Sequence, residues 1–103
     1  MIPALAAACG VPLEILQEVA EIADVLGILA QKGSRLAISD VGVAAAALQA
    51  AAQGAALNVA INTKLMKDRT YAAAQDQKTD ALLAAVIPVC QNIYATVKKG
   101  LET

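Results

Sequence analysis

One long apolar segment organises this chain: residues 39–68 read SDVGVAAAALQAAAQGAALNVAINTKLMKD. On a helix with about 100° of rotation per residue, one narrow line of this segment carries mostly small residues, and we call it the small-residue seam. The seam consists of Asp40, Ala44, Ala47, Ala51, Gly54, Asn58, Asn62 and Leu65. Larger apolar residues flank the seam on both sides, while Gln49, Gln53, Lys64 and Lys67 lie opposite. A helix that is apolar over most of its circumference is predicted to be a central, largely buried element.

Two amides, Asn58 and Asn62, lie one turn apart at one end of the seam and point in the same direction. A buried amide without a hydrogen-bond partner costs about 1–3 kcal/mol, so each of them needs a partner. Two interpretations stay open. The amides join neighbouring helices and fix their register, or they bind a polar ligand in the groove that the small residues leave.

The composition argues against several classes of protein. The chain has 103 residues, enough for one domain, with 8 basic and 9 acidic side chains and only two aromatic residues. This balance is unlike that of a nucleic-acid-binding protein, and 58% apolar content argues against disorder. Because the sequence contains no histidine, a histidine-based metal site, a Ser–His–Asp triad and a Cys–His pair are excluded, and we predict no metal.

The location of the protein is predicted to be cytoplasmic. Cys9 and Cys90 are far apart and form no CxxC motif, which fits a reducing compartment, and the N-terminal residues do not resemble a signal peptide. Residues 41–63 are uncharged and have the length of a membrane span. Their four amide side chains and many alanines oppose insertion, so we expect no membrane association.

The core is built from small residues, with many alanines and no Phe or Trp. A chain of this size buries only part of its surface, and several helices with wide apolar faces cannot hide all of them in one monomer. We therefore expect an obligate homo-oligomer, either a dimer or a larger assembly.

Two helical segments are predicted before the central helix. Residues 2–9 form a short N-terminal helix that Gly10 ends, and Pro12 opens a second helix that runs to about Lys32 and ends at Gly33. One side of the second helix carries four carboxylates, which we interpret as a solvated face rather than a metal site. They are Glu14, Glu18, Glu21 and Asp24.

The central helix and the last helix complete the predicted fold. Ser39 is the expected N-cap of the central helix, with Asp40 in its first turn. The apolar pattern weakens over residues 71–78, where we expect a turn or a break, so the last helix spans about 79–99, bent at Pro88. The fold class is all-α, with three long antiparallel helices and a short N-terminal helix that complete a larger bundle by homo-oligomerisation.

Three motifs resemble the cyclodeaminase/cyclohydrolase family of folate one-carbon metabolism. They are residues 11–15 (VPLEI), 38–44 (ISDVGVA) and 54–62 (GAALNVAIN), the last followed by Lys67-Asp68. The family includes formiminotetrahydrofolate cyclodeaminases and methenyltetrahydrofolate cyclohydrolases, and the resemblance extends from residue 11 to about residue 69. Family members look about twice as long, with five long helices and a glycine-rich PGGGS-like segment in their first half. The resemblance therefore implies that residues 1–103 are a single truncated domain corresponding to the C-terminal three helices.

The resemblance also implies a substrate, a tetrahydrofolate derivative, and roles for particular residues. Asp40 is the candidate acid and base for proton transfer. Ser39, Asn58 and Asn62 are candidates for binding the folate. Lys64 and Lys67 are candidates for the glutamate tail of the folate, although a solvated surface position is the simpler interpretation of both lysines.

Three functions follow as alternatives. The chain is a truncated homologue with reduced or no activity, a non-catalytic helical oligomerisation domain, or one half of a split enzyme whose partner carries the glycine-rich helix. A natural split, a decayed gene and a mobile fragment are each compatible with the sequence.

Overall fold

The computed structural model describes residues 2–32 and 38–102, and this part of the chain is folded into three helices without a strand. Helix α1 spans Ile2–Lys32, α2 spans Ile38–Lys64 and α3 spans Arg69–Glu102. The three helices form an elongated body with extents of 54 × 16 × 16 Å. The all-α prediction is confirmed for the described residues.

Helix α1 is continuous, so the predicted separate N-terminal helix is wrong. Gly10 and Pro12 lie inside α1. Proline in a helix interior removes one backbone hydrogen bond and costs about 3 kcal/mol. Burial supports this stretch, because Cys9 and Leu13 pack in an apolar cluster with Met66 and its neighbours. Gly33, the predicted end of this helix, lies outside the described residues.

Helix α2 begins at Ile38, so Ser39 lies inside the helix and is exposed rather than serving as the N-cap. Asp40 is in the first turn as predicted, where a carboxylate interacts favourably with the helix dipole.

Helix α3 begins ten residues earlier than predicted, at Arg69, and continues past Gly100 to Glu102. Asp68 caps its first turn, because the backbone N–H of Tyr71 donates to Asp68 Oδ1 at 3.0 Å. Ala72 is buried within the same stretch. The predicted break at residues 71–78 is therefore wrong, since a cap and tertiary burial replace the missing apolar periodicity.

The contacts between helices establish an antiparallel arrangement. Near the start of α2, Gly42 lies against Val97 close to the end of α3. Near the end of α2, Thr63 hydrogen-bonds Asp76 in the first part of α3, and the Val59 carbonyl lies 3.9 Å from Cys9 Sγ in α1. Helix α2 thus runs antiparallel to both α1 and α3.

Helix α2 is buried along one face only, which corrects the prediction of a largely buried central rod. Its buried residues follow a flank of the seam rather than the seam itself: Val41, Gly42, Ala45, Ala52, Ala55, Val59 and Thr63. The opposite side exposes a continuous apolar row, which we call the outer stripe. The outer stripe consists of Val43, Ala47, Ala50, Gly54, Leu57 and Ile61, together with Leu65 directly after the end of α2. Two neighbouring helices cover only one side of α2, so its second apolar side stays in contact with solvent.

By length and hydropathy alone, α2 and α3 could each cross a membrane. Core helices of soluble proteins have the same properties, so this finding is weak evidence. The absence of membrane association and the cytoplasmic location remain predictions.

Candidate functional site: a groove between α2 and α3

A groove of about 860 Å³ lies between the C-terminal half of α2 and the N-terminal half of α3. Its volume falls within the range of roughly 300–1,000 Å³ that is usual for small-molecule sites. Helix α2 contributes Gln53, Ala56, Leu57, Ala60, Thr63 and Lys64, and α3 contributes Arg69, Asp76, Thr79, Asp80 and Leu83. The groove thus combines an apolar middle with carboxylates, cations and hydroxyls, which is the composition expected for a site that orients a ligand.

One wall of the groove is fixed by a hydrogen bond between the two helices. Thr63 is only 2% exposed, and its Oγ1 donates to Asp76 Oδ1 at 2.7 Å. The same hydroxyl lies 3.2 Å from the Ala60 carbonyl oxygen, which holds it against its own helix. Because Thr63 is anchored in this way, the half-buried Asp76 carboxylate has a defined orientation at the groove.

Arg69 lines the groove where α2 ends and α3 begins. Its Nη1 donates to the carbonyl oxygens of Thr63 at 2.9 Å and Met66 at 3.0 Å, so the guanidinium caps the C-terminus of α2. A cation at this position also interacts favourably with the helix dipole. Lys64 lines the same groove, which therefore presents two cations beside two carboxylates.

Cys9 lies behind this wall and is buried. Burial, reinforced by the negative charge of Asp76, raises the pKa of the Cys9 thiol above its ordinary value of 9.0. Burial likewise raises the pKa of Cys90. Both thiols are therefore protonated and poorly nucleophilic at neutral pH, and we interpret them as packing residues.

Of the six predicted site residues, Lys64 lines the groove. Asn62 Nδ2 donates to the Asn58 carbonyl oxygen at 2.7 Å, within the same helix, and Asn58 is exposed. In the described part of the chain these amides therefore do not join α2 to another helix, and their proposed role in ligand binding remains untested. Lys67 is exposed in the α2–α3 connection.

Ser39 and Asp40 are exposed at the opposite end of α2. At about 1.5 Å per residue, Asp40 lies about 27 Å along the helix axis from Asn58. Within one chain, Asp40 and the two amides therefore do not converge on one reacting carbon. Among the described residues, no group of three or more Cys, Asp or Glu side chains is arranged to hold a metal ion.

Sequence reasoning missed Asp76 because it interpreted residues 71–78 as a break, and it placed Thr79 and Asp80 in the last helix without assigning either to a site. Asp76, Thr79, Asp80 and Leu83 follow a spacing of three and four residues, which places them on one helical face. This spacing was the feature of the sequence from which a polar helical face could have been predicted. The pairing of Asp76 with Thr63 depends on tertiary structure and had no local signal.

Comparison with known proteins identifies the protein family to which this chain belongs. Residues 1–81 match the sequence model of the family described as formiminotransferase-cyclodeaminase, and the chain belongs to that family. The predicted resemblance is thereby confirmed.

A curated relative is the methenyltetrahydrofolate cyclohydrolase of Methylorubrum extorquens. The two sequences are 39% identical over 99 residues, which make up 96% of this chain and 48% of the relative. The chain thus spans about half the length of the curated relative that it matches.

Proposed function

We propose that this protein takes part in folate one-carbon metabolism as a cyclohydrolase- or cyclodeaminase-type subunit that requires assembly with a further chain. Membership of the family and the 39% identity to a methenyltetrahydrofolate cyclohydrolase support the substrate class. The observation that carries the proposal is the groove between α2 and α3, which has the volume and polar groups of a small-molecule site. The isolated chain is expected to have reduced or no activity.

The proposed chemistry needs a proton-transfer group near the substrate. In a cyclohydrolase reaction, water adds to the methenyl carbon and loses a proton, and a carbon–nitrogen bond then breaks as that nitrogen gains a proton. A carboxylate can accept the first proton and supply the second. The family motif suggests Asp40 for this role. The groove adds Asp76 and Asp80, which lie one turn apart on α3 and, within one chain, at the opposite end of α2 from Asp40.

Assembly is part of the proposal because one chain leaves the groove open and the predicted residues apart. Active sites of this kind require walls that exclude water. If two copies paired antiparallel along α2, Asp40 of one copy would lie near the amide end of the other copy. A homo-oligomer would therefore bring together the Asp40 and Asn58 positions that a single chain separates.

The test is turnover of 5,10-methenyltetrahydrofolate, followed as loss of its absorbance above the spontaneous rate. If the assembled protein is catalytic, Asp40→Asn should abolish the acceleration, whereas Asp24→Asn, which changes an exposed carboxylate on α1, should not. If Asp40→Asn and the wild type accelerate turnover equally, Asp40 is not a catalytic residue.

Two alternatives have support of their own. The exposed outer stripe is compatible with a non-catalytic helical oligomerisation domain, which predicts no acceleration of turnover and no response of the oligomer to folate. The match to 48% of the relative is compatible with one half of a split enzyme. In that case, activity should appear only when a second chain with a glycine-rich PGGGS-like helix is added, and a neighbouring gene should encode such a chain.

A further inference from the structure

We propose that the Asp76 end of the groove binds a pterin-type heterocycle, with the Asp76 carboxylate accepting the N–H groups of its amidine edge and Thr63 acting as a positioning residue. The choice of heterocycle rests on the proposed function, because pterin is the ring system of folates. The location rests on the geometry of the groove.

The Asp76 carboxylate is suited to a planar pair of donors. An ionised carboxylate has about four acceptor positions, and Thr63 occupies one of them through its 2.7 Å hydrogen bond. Because Thr63 is buried and held by α2, that bond fixes the plane of a carboxylate that lines the groove. The ring N–H and the adjacent amino group of a pterin lie in one plane, and two parallel N–H···O bonds to a carboxylate form the same fork that arginine makes.

The rest of the groove supplies surface for a flat ring. Ala56, Leu57, Ala60 and Leu83 give the groove apolar walls, and the two alanines leave space between the helices. The Cys9 thiol, close enough to Asp76 for its pKa to respond to that charge, is neutral at pH 7 and adds no second negative charge behind the carboxylate. Lys64 and Arg69 lie in the same groove and balance the charges of Asp76 and Asp80, so the lining suits a neutral heterocycle.

The geometry predicts a specificity that depends on one functional group of the ligand. Lumazine has the pteridine rings of pterin but carries a carbonyl oxygen where pterin carries the amino group. That oxygen would face the Asp76 carboxylate, so two acceptors would be opposed and the binding of lumazine would be penalised. Asparagine at position 76 offers a donor as well as an acceptor, and the discrimination should then be lost.

The experiment measures binding of pterin and of lumazine to the 103-residue chain by quenching of their fluorescence at pH 7. The wild type should bind pterin about tenfold or more tightly than lumazine, since lumazine loses one charge-assisted hydrogen bond and places an acceptor against the carboxylate. Asp76→Asn should weaken pterin binding by about tenfold and remove the preference. Thr63→Val should reduce the preference while circular dichroism shows unchanged helix content, and Asp24→Asn should behave as the wild type.

The inference is overturned if the wild type binds neither ligand, or if Asp76→Asn keeps the preference for pterin. The ratio of the two affinities separates a specific role from general destabilisation, because a partly unfolded variant would weaken both ligands equally. Failure here leaves the proposed function intact if the protein accelerates loss of 5,10-methenyltetrahydrofolate. Conversely, selective pterin binding without turnover would retain the inference and reject catalysis.

Discussion

At the scale of single residues, Gly42 sets the distance between α2 and α3. A Cβ atom placed on Gly42 would lie 2.9 Å from Val97 Cγ1 and 3.2 Å from Val97 Cβ. Favourable contacts between carbon atoms lie at about 3.5–4.0 Å, so a methyl group at this position would overlap a buried side chain. The close approach of the two helices therefore depends on the missing side chain.

In Gly42→Ala, overpacking should cost about 1–3 kcal/mol. The helix-propensity gain of about 1 kcal/mol for replacing glycine by alanine offsets part of this cost, so we expect the free energy of unfolding to fall by up to about 2 kcal/mol. Gly27→Ala is the matched control, because a Cβ at Gly27 meets nothing within 4 Å, and it should be stabilising. Urea unfolding followed by circular dichroism measures both changes, and a stabilised Gly42→Ala would contradict the packing argument.

At the scale of the elements, α3 is a long helix that contains a proline. Pro88 lies inside α3 and its side chain is exposed, so the ring contributes little packing within the chain. Proline has no N–H to donate to the carbonyl oxygen of Ala84, and its ring crowds that carbonyl. The helix persists because residues on both sides of Pro88, including Val86 and Cys90, are buried.

We expect Pro88→Ala to raise the free energy of unfolding by up to about 3 kcal/mol, since it restores a backbone hydrogen bond without removing packing. Pro12→Ala is the informative comparison. Pro12 is buried in α1, so its replacement also removes packed atoms, and the gain should be smaller. Thermal and urea unfolding of the two variants test this order, and a larger gain for Pro12→Ala would refute the explanation.

At the scale of the whole molecule, the chain leaves large apolar side chains in contact with water. Val43, Leu57, Ile61 and Leu65 on the outer stripe are each more than 60% exposed. Helix α1 adds exposed residues that include Val11, Val25 and Ile28. Contiguous apolar surface of this kind usually marks an interface, which supports the proposal of a homo-oligomer.

We expect Ile61→Glu to shift the oligomer toward the monomer, because a carboxylate buried at an interface without a partner is strongly unfavourable. Leu101→Glu is the control, since Leu101 is about as exposed as Ile61 but lies near the end of α3. Sedimentation equilibrium at micromolar concentration measures the effect. If the wild-type protein sediments as a folded monomer, the proposal of homo-oligomerisation is wrong.

The sequence predicted those parts of the fold that depend on local interactions. The alanine-rich segment gave α2 nearly its observed bounds, and the heptad-like spacing of Leu16, Val19, Ala23 and Leu26 identified the buried side of α1. The motifs around Asp40 and Asn58 identified the family. Helix propensity and periodicity act over a few residues, so one sequence contains enough information to find them.

Tertiary structure alone decided which of two apolar faces of α2 became the core, that α1 continues through Pro12, and that Asp76 meets Thr63. Apolar residues on both sides of α2 have similar affinity for a core, so the choice depended on where the neighbouring helices pack. The pairing of a carboxylate with a hydroxyl 13 residues away follows from the antiparallel arrangement of α2 and α3. The sequence pattern of a helix shows which of its faces are apolar enough to be buried. The packing of neighbouring helices determines which of those faces is buried.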